Sequence, residues 1–105
     1  MLRYLPLKKW TIKRHPEFEC NLRGIKNRST IQKLDRRIKR LRNDPYSGKQ
    51  LRPPCNHLWE EVIGRFRLYY EIHERKQIVL LKAFYPKNLQ KRYLRRRIQS
   101  AKRRA

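Results

Sequence analysis

Residues 58–84, LWEEVIGRFRLYYEIHERKQIVLLKAF, are the stretch that decides the fold. They form three apolar runs separated by two short polar turns. In the middle run, residues 66–72, apolar side chains alternate with Arg67, Tyr69 and Glu71, a pattern typical of a strand with two different faces. The third run is almost continuously apolar, as in a central strand. The stretch therefore predicts three consecutive antiparallel strands.

Residues on both sides of these strands follow the spacing of helices. A short helix is predicted to begin at Pro16 and to end between Gly24 and Asn27, and residues 29–43 predict a longer one because apolar side chains recur every three or four positions. A third helix is predicted over residues 89–101, and residues 10–14 alternate as a short strand. The predicted fold class is α+β: a small antiparallel β-sheet with an N-terminal helical hairpin and a C-terminal helix, the helices lying on one side of the sheet.

The chain of 105 residues is long enough for one small domain and too short for two. We predict a single domain over residues 1–105, whose basic ends, residues 1–9 and 101–105, need not be ordered. No apolar run approaches the ~20 residues that cross a bilayer, and the first residues lack the apolar core of a secretory signal. The sequence therefore predicts a soluble cytoplasmic protein without a membrane partner.

Cysteine and histidine residues are scattered rather than clustered. Cys20 and Cys55 lie outside any CxxC arrangement, and His15, His57 and His73 are equally dispersed. Because structural zinc sites need four such ligands at characteristic spacings, we predict no metal and no cofactor. The two cysteines are interpreted as ordinary thiols of a reducing compartment.

Positive charge dominates the composition and is unevenly distributed. Lysine and arginine total 30 against 8 acidic residues, which gives a formal net charge of +22. Residues 87–105 contain nine basic side chains and no acidic one, whereas residues 44–86 are nearly balanced. Such a field repels itself in an isolated protein, so we expect a polyanionic partner. The C-terminal helix is too polar for a membrane-surface helix, and nucleic acid is therefore the favoured partner.

Several short motifs occur in a familiar order. The long predicted helix is followed by Asn43-Asp44-Pro45-Tyr46, by Gly48-Lys49-Gln50-Leu51, by Leu58-Trp59, and then by Gly64-Arg65-Phe66-Arg67-Leu68-Tyr69-Tyr70. In this order they resemble the RelE/ParE toxin superfamily over residues 30–98, and the Gly-x-Phe-Arg-x-x-Tyr core is the most specific part. The resemblance implies a RelE-like fold and a microbial toxin of a toxin–antitoxin pair.

Members of this superfamily act in two ways. RelE-like toxins cleave mRNA in the ribosomal A site, whereas ParE-like toxins poison DNA gyrase. We take the resemblance to imply a ribosome-dependent mRNA endonuclease. Its partners would be mRNA, the ribosome with its rRNA, a neutralising antitoxin and, through that antitoxin, operator DNA. A ParE-like gyrase inhibitor and a non-enzymatic basic RNA-binding protein are the alternatives.

The resemblance also implies a metal-free site in which a ribose 2′-hydroxyl attacks the adjacent phosphate. Arg67 matches the phosphate-contacting arginine of RelE-like enzymes, and its planar fork suits a phosphate. Lys87 matches a basic proton donor or charge stabiliser, and Tyr93 matches a general base or base-stacking ring. Seven further side chains are predicted to bind RNA around these three: Arg65, Lys82, Tyr85, Lys91, Arg92, Arg95 and Arg96.

The pattern departs from the superfamily in the strand over residues 58–63. Relatives often carry lysine or arginine there, whereas the charged side chains of this strand are carboxylates. Glu61 or His57 could replace a missing general base. Structural roles also remain open: Arg67 could be ion-paired across the sheet, and Tyr93 lies on the apolar stripe of the last helix.

Overall fold

A computed structural model describes residues 9–104, with side chains for residues 9–99. Within that range, five strands form one sheet in the order β1-β5-β4-β3-β2, and three helices accompany it. Short 3-10 turns occur at Pro45–Ser47 and Lys87–Leu89. The predicted α+β class is confirmed. In chain order the elements are β1 (Thr11–Arg14), α1 (Pro16–Arg23), α2 (Arg28–Asn43), β2 (Lys49–Gln50), β3 (Trp59–Ile63), β4 (Phe66–His73), β5 (Ile78–Pro86) and α3 (Gln90–Arg104).

The sheet is mixed rather than purely antiparallel. Strands β3, β4 and β5 form the predicted antiparallel meander. The edge strand β1 instead runs parallel to β5, with Thr11 opposite Ile78. The two strands can run in parallel because they are far apart in the chain and are not joined by a tight turn. At the other edge, β2 adds a strand of two residues that the sequence did not predict.

Helices cover both faces of the sheet, which corrects the prediction that they lie on one side. Leu34 and Leu41 of α2 pack with Leu68 and Tyr70 of β4. Tyr93, near the start of α3, packs instead in a second cluster, whose members are Leu58, Tyr69, Ala83 and Cys55. Because neighbouring residues of a strand point to opposite faces, α2 and α3 lie on opposite sides of β4.

A β-bulge at Lys82 changes which side chains of β5 face α3. Tyr69 pairs with Ala83, but Tyr70 pairs with Leu81, so Lys82 is an extra residue in β5. Beyond such a bulge the alternation of side chains is shifted by one residue. As a result, Ala83 packs with Tyr69 on the α3 side, although Leu81 packs on the α2 side.

The ends of the chain differ in part from the prediction. Residues 1–8 and 105, which belong to the two basic ends, lie outside the described residues. Residues 101–104 are helical, because α3 continues to Arg104. None of the helices within residues 9–104 is long and apolar enough to cross a membrane.

Candidate nucleic-acid interface

The candidate site lies at the end of the sheet where β4 begins and β5 ends. Ile63 of β3 pairs with Phe66 of β4, so Gly64-Arg65 is a two-residue hairpin loop. Gly64 has a φ of 62°, a left-handed conformation that glycine adopts without a steric penalty. The backbone N–H of Lys87 donates a hydrogen bond of 2.8 Å to the carbonyl of Arg65. This bond fixes the turn after β5 beside the hairpin loop.

The two segments enclose a cleft of about 1020 Å³ in front of the first residues of α3. Four of its lining side chains are cationic, and none of its lining residues is acidic. Among the described residues, none of the four cations lies within ion-pair distance of a carboxylate. The cleft therefore presents unneutralised positive charge to solvent. The four cations, called the cleft cations below, are Arg65, Arg67, Lys87 and Lys91.

Arg67 is half-buried on the side of β4 that faces α3. Its Nη1 donates to the carbonyl of Phe66 at 3.0 Å and to the carbonyl of Gly64 at 3.4 Å. An ion pair with Glu60 or Glu71 across the sheet, which the sequence left open, is absent among the described residues. The guanidinium thus keeps donor groups that its own hairpin does not use, and it lines the cleft together with Lys87.

Tyr93 is not part of the cleft surface. Its side chain is 1% exposed, and its ring stacks on that of Tyr69 with centroids 4.8 Å apart. Its hydroxyl has no hydrogen-bond partner among the described residues. Burial raises the pKa of Tyr93 above its ordinary value. The raised pKa disfavours the phenolate that a general base needs, and a ring that is buried and stacked on Tyr69 offers no face to an RNA base in this arrangement.

A family model for the ParE toxin of the type II toxin–antitoxin system parDE matches residues 12–85, which is well over half of the chain. The chain belongs to this toxin family. The match begins in β1 and ends in β5, and it includes the strand that carries Arg67. The resemblance to the RelE/ParE superfamily is thereby confirmed. A comparison with curated protein sequences gave no match.

Solved structures of low sequence identity share the fold of the toxin. The RelBE2 toxin–antitoxin complex of Mycobacterium tuberculosis aligns with a TM-score of 0.68 and 18% identity, covering 77% of this chain and 94% of that one. The archaeal RelE–RelB complex of Pyrococcus horikoshii gives 0.62 and 12%, covering 74% and 94%. The intact RelBE complex of Escherichia coli gives 0.64 and 10%, covering 73% and 95%. The predicted RelE-like fold is confirmed.

The other side chains of the toxin that were predicted to bind RNA fall into two groups. Lys91, Arg92 and Arg95 are exposed on α3 together with Arg96, as the prediction requires. Lys82 and Tyr85 are instead engaged within the protein. The Lys82 side chain is 11% exposed and lies 3.7 Å from a Glu71 carboxylate oxygen.

The hydroxyl of Tyr85 donates to Glu17 of α1 at 2.7 Å, and Arg96 also contacts this carboxylate, at 3.0 Å. Glu17 therefore competes with any RNA phosphate for both side chains. For Tyr85 and Lys82, these internal contacts argue against the predicted direct role in binding RNA.

Glu61 and His57, the two residues that could replace a missing general base according to the sequence, do not lie at the cleft. Glu61 points to the α2 side, where it is 6% exposed and accepts hydrogen bonds from Arg37 at 2.5 Å and from Ser47 at 3.2 Å. His57 is exposed and lines a different cavity, which it shares with His73. Among the described residues, no group of three or more His, Cys, Asp or Glu side chains could hold a metal ion.

Glu60 is the carboxylate that the sequence interpretation missed. It lies on the α3 side of β3, and its Oε2 accepts a hydrogen bond of 3.0 Å from the side chain of Gln90, which lines the cleft. The sequence contained the information needed to find it, because Trp59, Glu61 and Ile63 share one face of β3 and Glu60 lies on the other. Strand alternation alone therefore separates Glu61, on the α2 side, from Glu60, on the α3 side.

Proposed function

We propose that this toxin is a ribosome-dependent mRNA endonuclease whose cleft binds the phosphate to be cleaved. The observation that carries the proposal is the convergence of the four cleft cations on one cavity that has no acidic lining residue. Preorganised cations stabilise the negative charge that develops on phosphorus during attack. The exposed cations of α3 extend the same surface for the flanking phosphates.

The proposed reaction needs no metal. The ribose 2′-oxygen attacks the adjacent phosphorus, the bond from phosphorus to the 5′-oxygen breaks, and a 2′,3′-cyclic phosphate and a 5′-hydroxyl remain. Arg67 and Lys87 neutralise the additional charge of the pentacovalent intermediate. Glu60 lies behind Gln90 and outside the cleft lining, so it reaches the cleft only when Gln90 releases it; it then accepts the proton of the 2′-hydroxyl, and the Lys87 ammonium donates a proton to the departing 5′-oxygen.

The proposed protein partner is an acidic antitoxin. A net charge of +22 favours a partner of opposite sign, and the solved relatives from Mycobacterium tuberculosis and Escherichia coli are toxin–antitoxin complexes. Disordered acidic segments that fold on a basic surface suit this type of neutralisation. We place the toxin in the cytoplasm, where ribosomes are found, and contact with operator DNA would occur through the antitoxin.

The proposal is tested with purified toxin and ribosomes programmed with a defined mRNA. Arg67→Ala should reduce the rate of mRNA cleavage by roughly 100-fold or more, because it removes a bidentate donor to the transition state. Arg67→Lys should restore part of the rate, since it keeps the charge but not the fork. Arg75→Ala, in the exposed β4–β5 turn, is the matched control and should cleave like the wild type. Wild-type cleavage by folded Arg67→Ala would refute the proposal.

Two more variants separate the roles assigned to Glu60 and Tyr93. Glu60→Gln should lower the cleavage rate, because an amide cannot accept the proton. Tyr93→Phe should cleave at the wild-type rate, since the buried hydroxyl does not face the cleft. A large loss in Tyr93→Phe, with the fold retained, would instead assign Tyr93 to the chemistry and require α3 to move.

Inhibition of DNA gyrase is a second candidate, and a specific observation favours it. On the α3 side, β3 contributes Glu60 and the half-exposed Val62 beside Arg67, rather than additional cations. A surface that inhibits by binding does not need a catalytic cluster. Loss of gyrase supercoiling activity at toxin concentrations that leave mRNA intact would favour this function, whereas salt-sensitive RNA binding with neither effect would indicate a non-enzymatic RNA-binding protein.

A further inference from the structure

The outward face of α2 carries a second cationic surface, separate from the cleft. At 100° per residue, its cations lie opposite Leu34, Ile38 and Leu41, which pack on the sheet. The remaining outward positions are the uncharged Ser29, Gln32 and other polar side chains. The cations of this surface, called the α2 surface below, are all exposed: Lys33, Arg36, Lys39 and Arg40.

The charge of the α2 surface is not neutralised within the protein. None of its four cations lies within ion-pair distance of a carboxylate among the described residues. Asp35 is the only acidic residue of α2, and it lines the groove between α2 and β1, where Lys39 is its neighbour, whereas Lys33, Arg36 and Arg40 lie outside this groove. Arg37, by contrast, turns to the sheet and pairs with Glu61. Of the seven cations of α2, Arg37 is thus structural, and the six exposed ones include the four of the α2 surface.

The composition of the α2 surface selects a class of partner. Stable protein–protein contacts need apolar or aromatic anchors at their centre, and single-stranded nucleic acids need aromatic rings for stacking. The outward face of α2 has neither, because its side chains are charged or polar. Such a surface fits a partner that offers phosphates alone, which is the backbone of a double-helical nucleic acid.

The location of the α2 surface allows it to act at the same time as the cleft. Helix α2 covers the sheet face opposite α3, whereas the cleft opens where α3 begins. We propose that the α2 surface docks on the phosphate backbone of a ribosomal RNA helix while the cleft holds mRNA. This inference rests on the proposed ribosome-dependent function. The α2 surface would contribute affinity and rapid encounter, and the cleft would contribute the chemistry.

The test compares two triple variants that remove the same charge. Lys33→Gln/Arg36→Gln/Arg40→Gln removes three cations of the α2 surface. Its matched control, Arg52→Gln/Arg75→Gln/Lys76→Gln, removes three exposed cations from loops. Binding of each toxin to ribosomes is measured by co-sedimentation over a range of salt concentrations. Glutamine is a good helix former, so both variants should keep the fold, which circular dichroism verifies.

The α2 variant should bind ribosomes about 10–100-fold more weakly than the wild type, and its slope of log affinity against log salt should fall by roughly 2–3, because each phosphate contact contributes about 0.9. The control should change the slope by less than about 1. Equal losses in the two variants would mean that net charge alone drives binding, which would overturn the proposal. A loss confined to a DNA duplex, with ribosome binding unchanged, would also overturn it.

The binding measurement distinguishes this inference from the proposed function. Arg67→Ala should bind ribosomes with nearly the wild-type slope although it does not cleave mRNA, because binding and chemistry use different surfaces. If the wild-type toxin never cleaves mRNA, the endonuclease proposal fails, whereas the difference between the two triple variants still decides whether the α2 surface docks on the ribosome.

Discussion

At the scale of single residues, Gly48 shows how tightly the segment between α2 and β3 is packed. A Cβ at this position would overlap the hydroxyl of Tyr70 and lie 2.8 Å from the carbonyl oxygen of Glu60. The same hydroxyl donates a hydrogen bond of 2.8 Å to the carbonyl of Pro45. The glycine of the Gly-Lys-Gln-Leu motif is therefore required by space rather than by backbone conformation.

Gly48→Ala should destabilise the protein by about 1–3 kcal/mol, because Tyr70 must move and weaken its bond to Pro45. Chemical denaturation followed by circular dichroism measures the change. Gly24→Ala is the matched control, since its Cβ would meet only the carbonyl of Asn21 at an ordinary 3.6 Å. Equal stability of the two variants would show that the segment around Gly48 adjusts freely.

At the scale of elements, a single carboxylate connects α1 to α3. Glu17 accepts from Tyr85 at 2.7 Å and lies 3.0 Å from Arg96 and 3.3 Å from Arg97. Burial opposes ionisation of Glu17, but the hydrogen bonds from Tyr85 and Arg96 and the two positive charges outweigh it. Together they hold the pKa of Glu17 below its ordinary value of 4.5. This cluster fixes the middle of α3 to the rest of the molecule.

Glu17→Gln should loosen α3 with little change in global stability, because Arg96 is largely exposed and solvent screens its charge. Faster amide hydrogen exchange in α3 is the measurement. The pKa of Glu17 is lower in the folded protein than in the unfolded chain. In the wild type, the stabilisation of α3 by Glu17 is therefore complete above about pH 5, and it is lost as the pH falls through the folded pKa. In Glu17→Gln, this pH-dependent change in the hydrogen exchange of α3 should be absent.

Glu19→Gln provides the comparison for this experiment. Glu19 also belongs to the first turns of α1, but its pair with Arg14 is exposed and 3.4 Å long. Its replacement should leave hydrogen exchange in α3 unchanged. Similar acceleration in both variants would show that the loss of any acidic residue from this basic protein loosens α3, and the specific role of Glu17 would be withdrawn.

At the scale of the whole molecule, repulsion among 30 basic side chains opposes folding. Because salt screens this repulsion over about 10 Å at 0.1 M, raising NaCl from 0.05 to 0.5 M should stabilise the free toxin by about 1 kcal/mol. For a domain of this size the Tm should rise by roughly 4–8 °C. Thermal denaturation monitored by circular dichroism measures the Tm. KCl should raise the Tm as much as NaCl does, because screening depends on ionic strength. A falling Tm would mean that attractive ion pairs dominate.

The sequence predicted the elements better than their arrangement. The alternation in β4 and the helical spacing of α2 depend on local periodicity, and both agree with the structure. The two residues of β2 are too few for a periodic signal. Whether α3 lies on the same side as α2 depends on long-range packing, which local patterns do not specify.

The sequence predicted only part of the candidate site, again because local patterns do not specify long-range packing. Arg67 and Lys87 meet at the cleft because each lies next to a predicted strand end, and the resemblance identified both. Tyr93 was uncertain because a tyrosine on an apolar stripe fits packing and chemistry equally well, and its stacking on Tyr69 supports packing. Glu60 and Glu61 could have been distinguished by alternation alone, because they are adjacent in β3.

The extra residue at Lys82 has a consequence for any comparison between this toxin and its relatives. A relative that lacks the insertion matches Tyr85 with a side chain on the opposite face, unless a gap is placed in β5. Residue roles transferred across this point by counting from the Arg67 strand are then out of step by one position. Lys87 and the whole of α3 follow the insertion, so their equivalents in related toxins must be found by superposition in space.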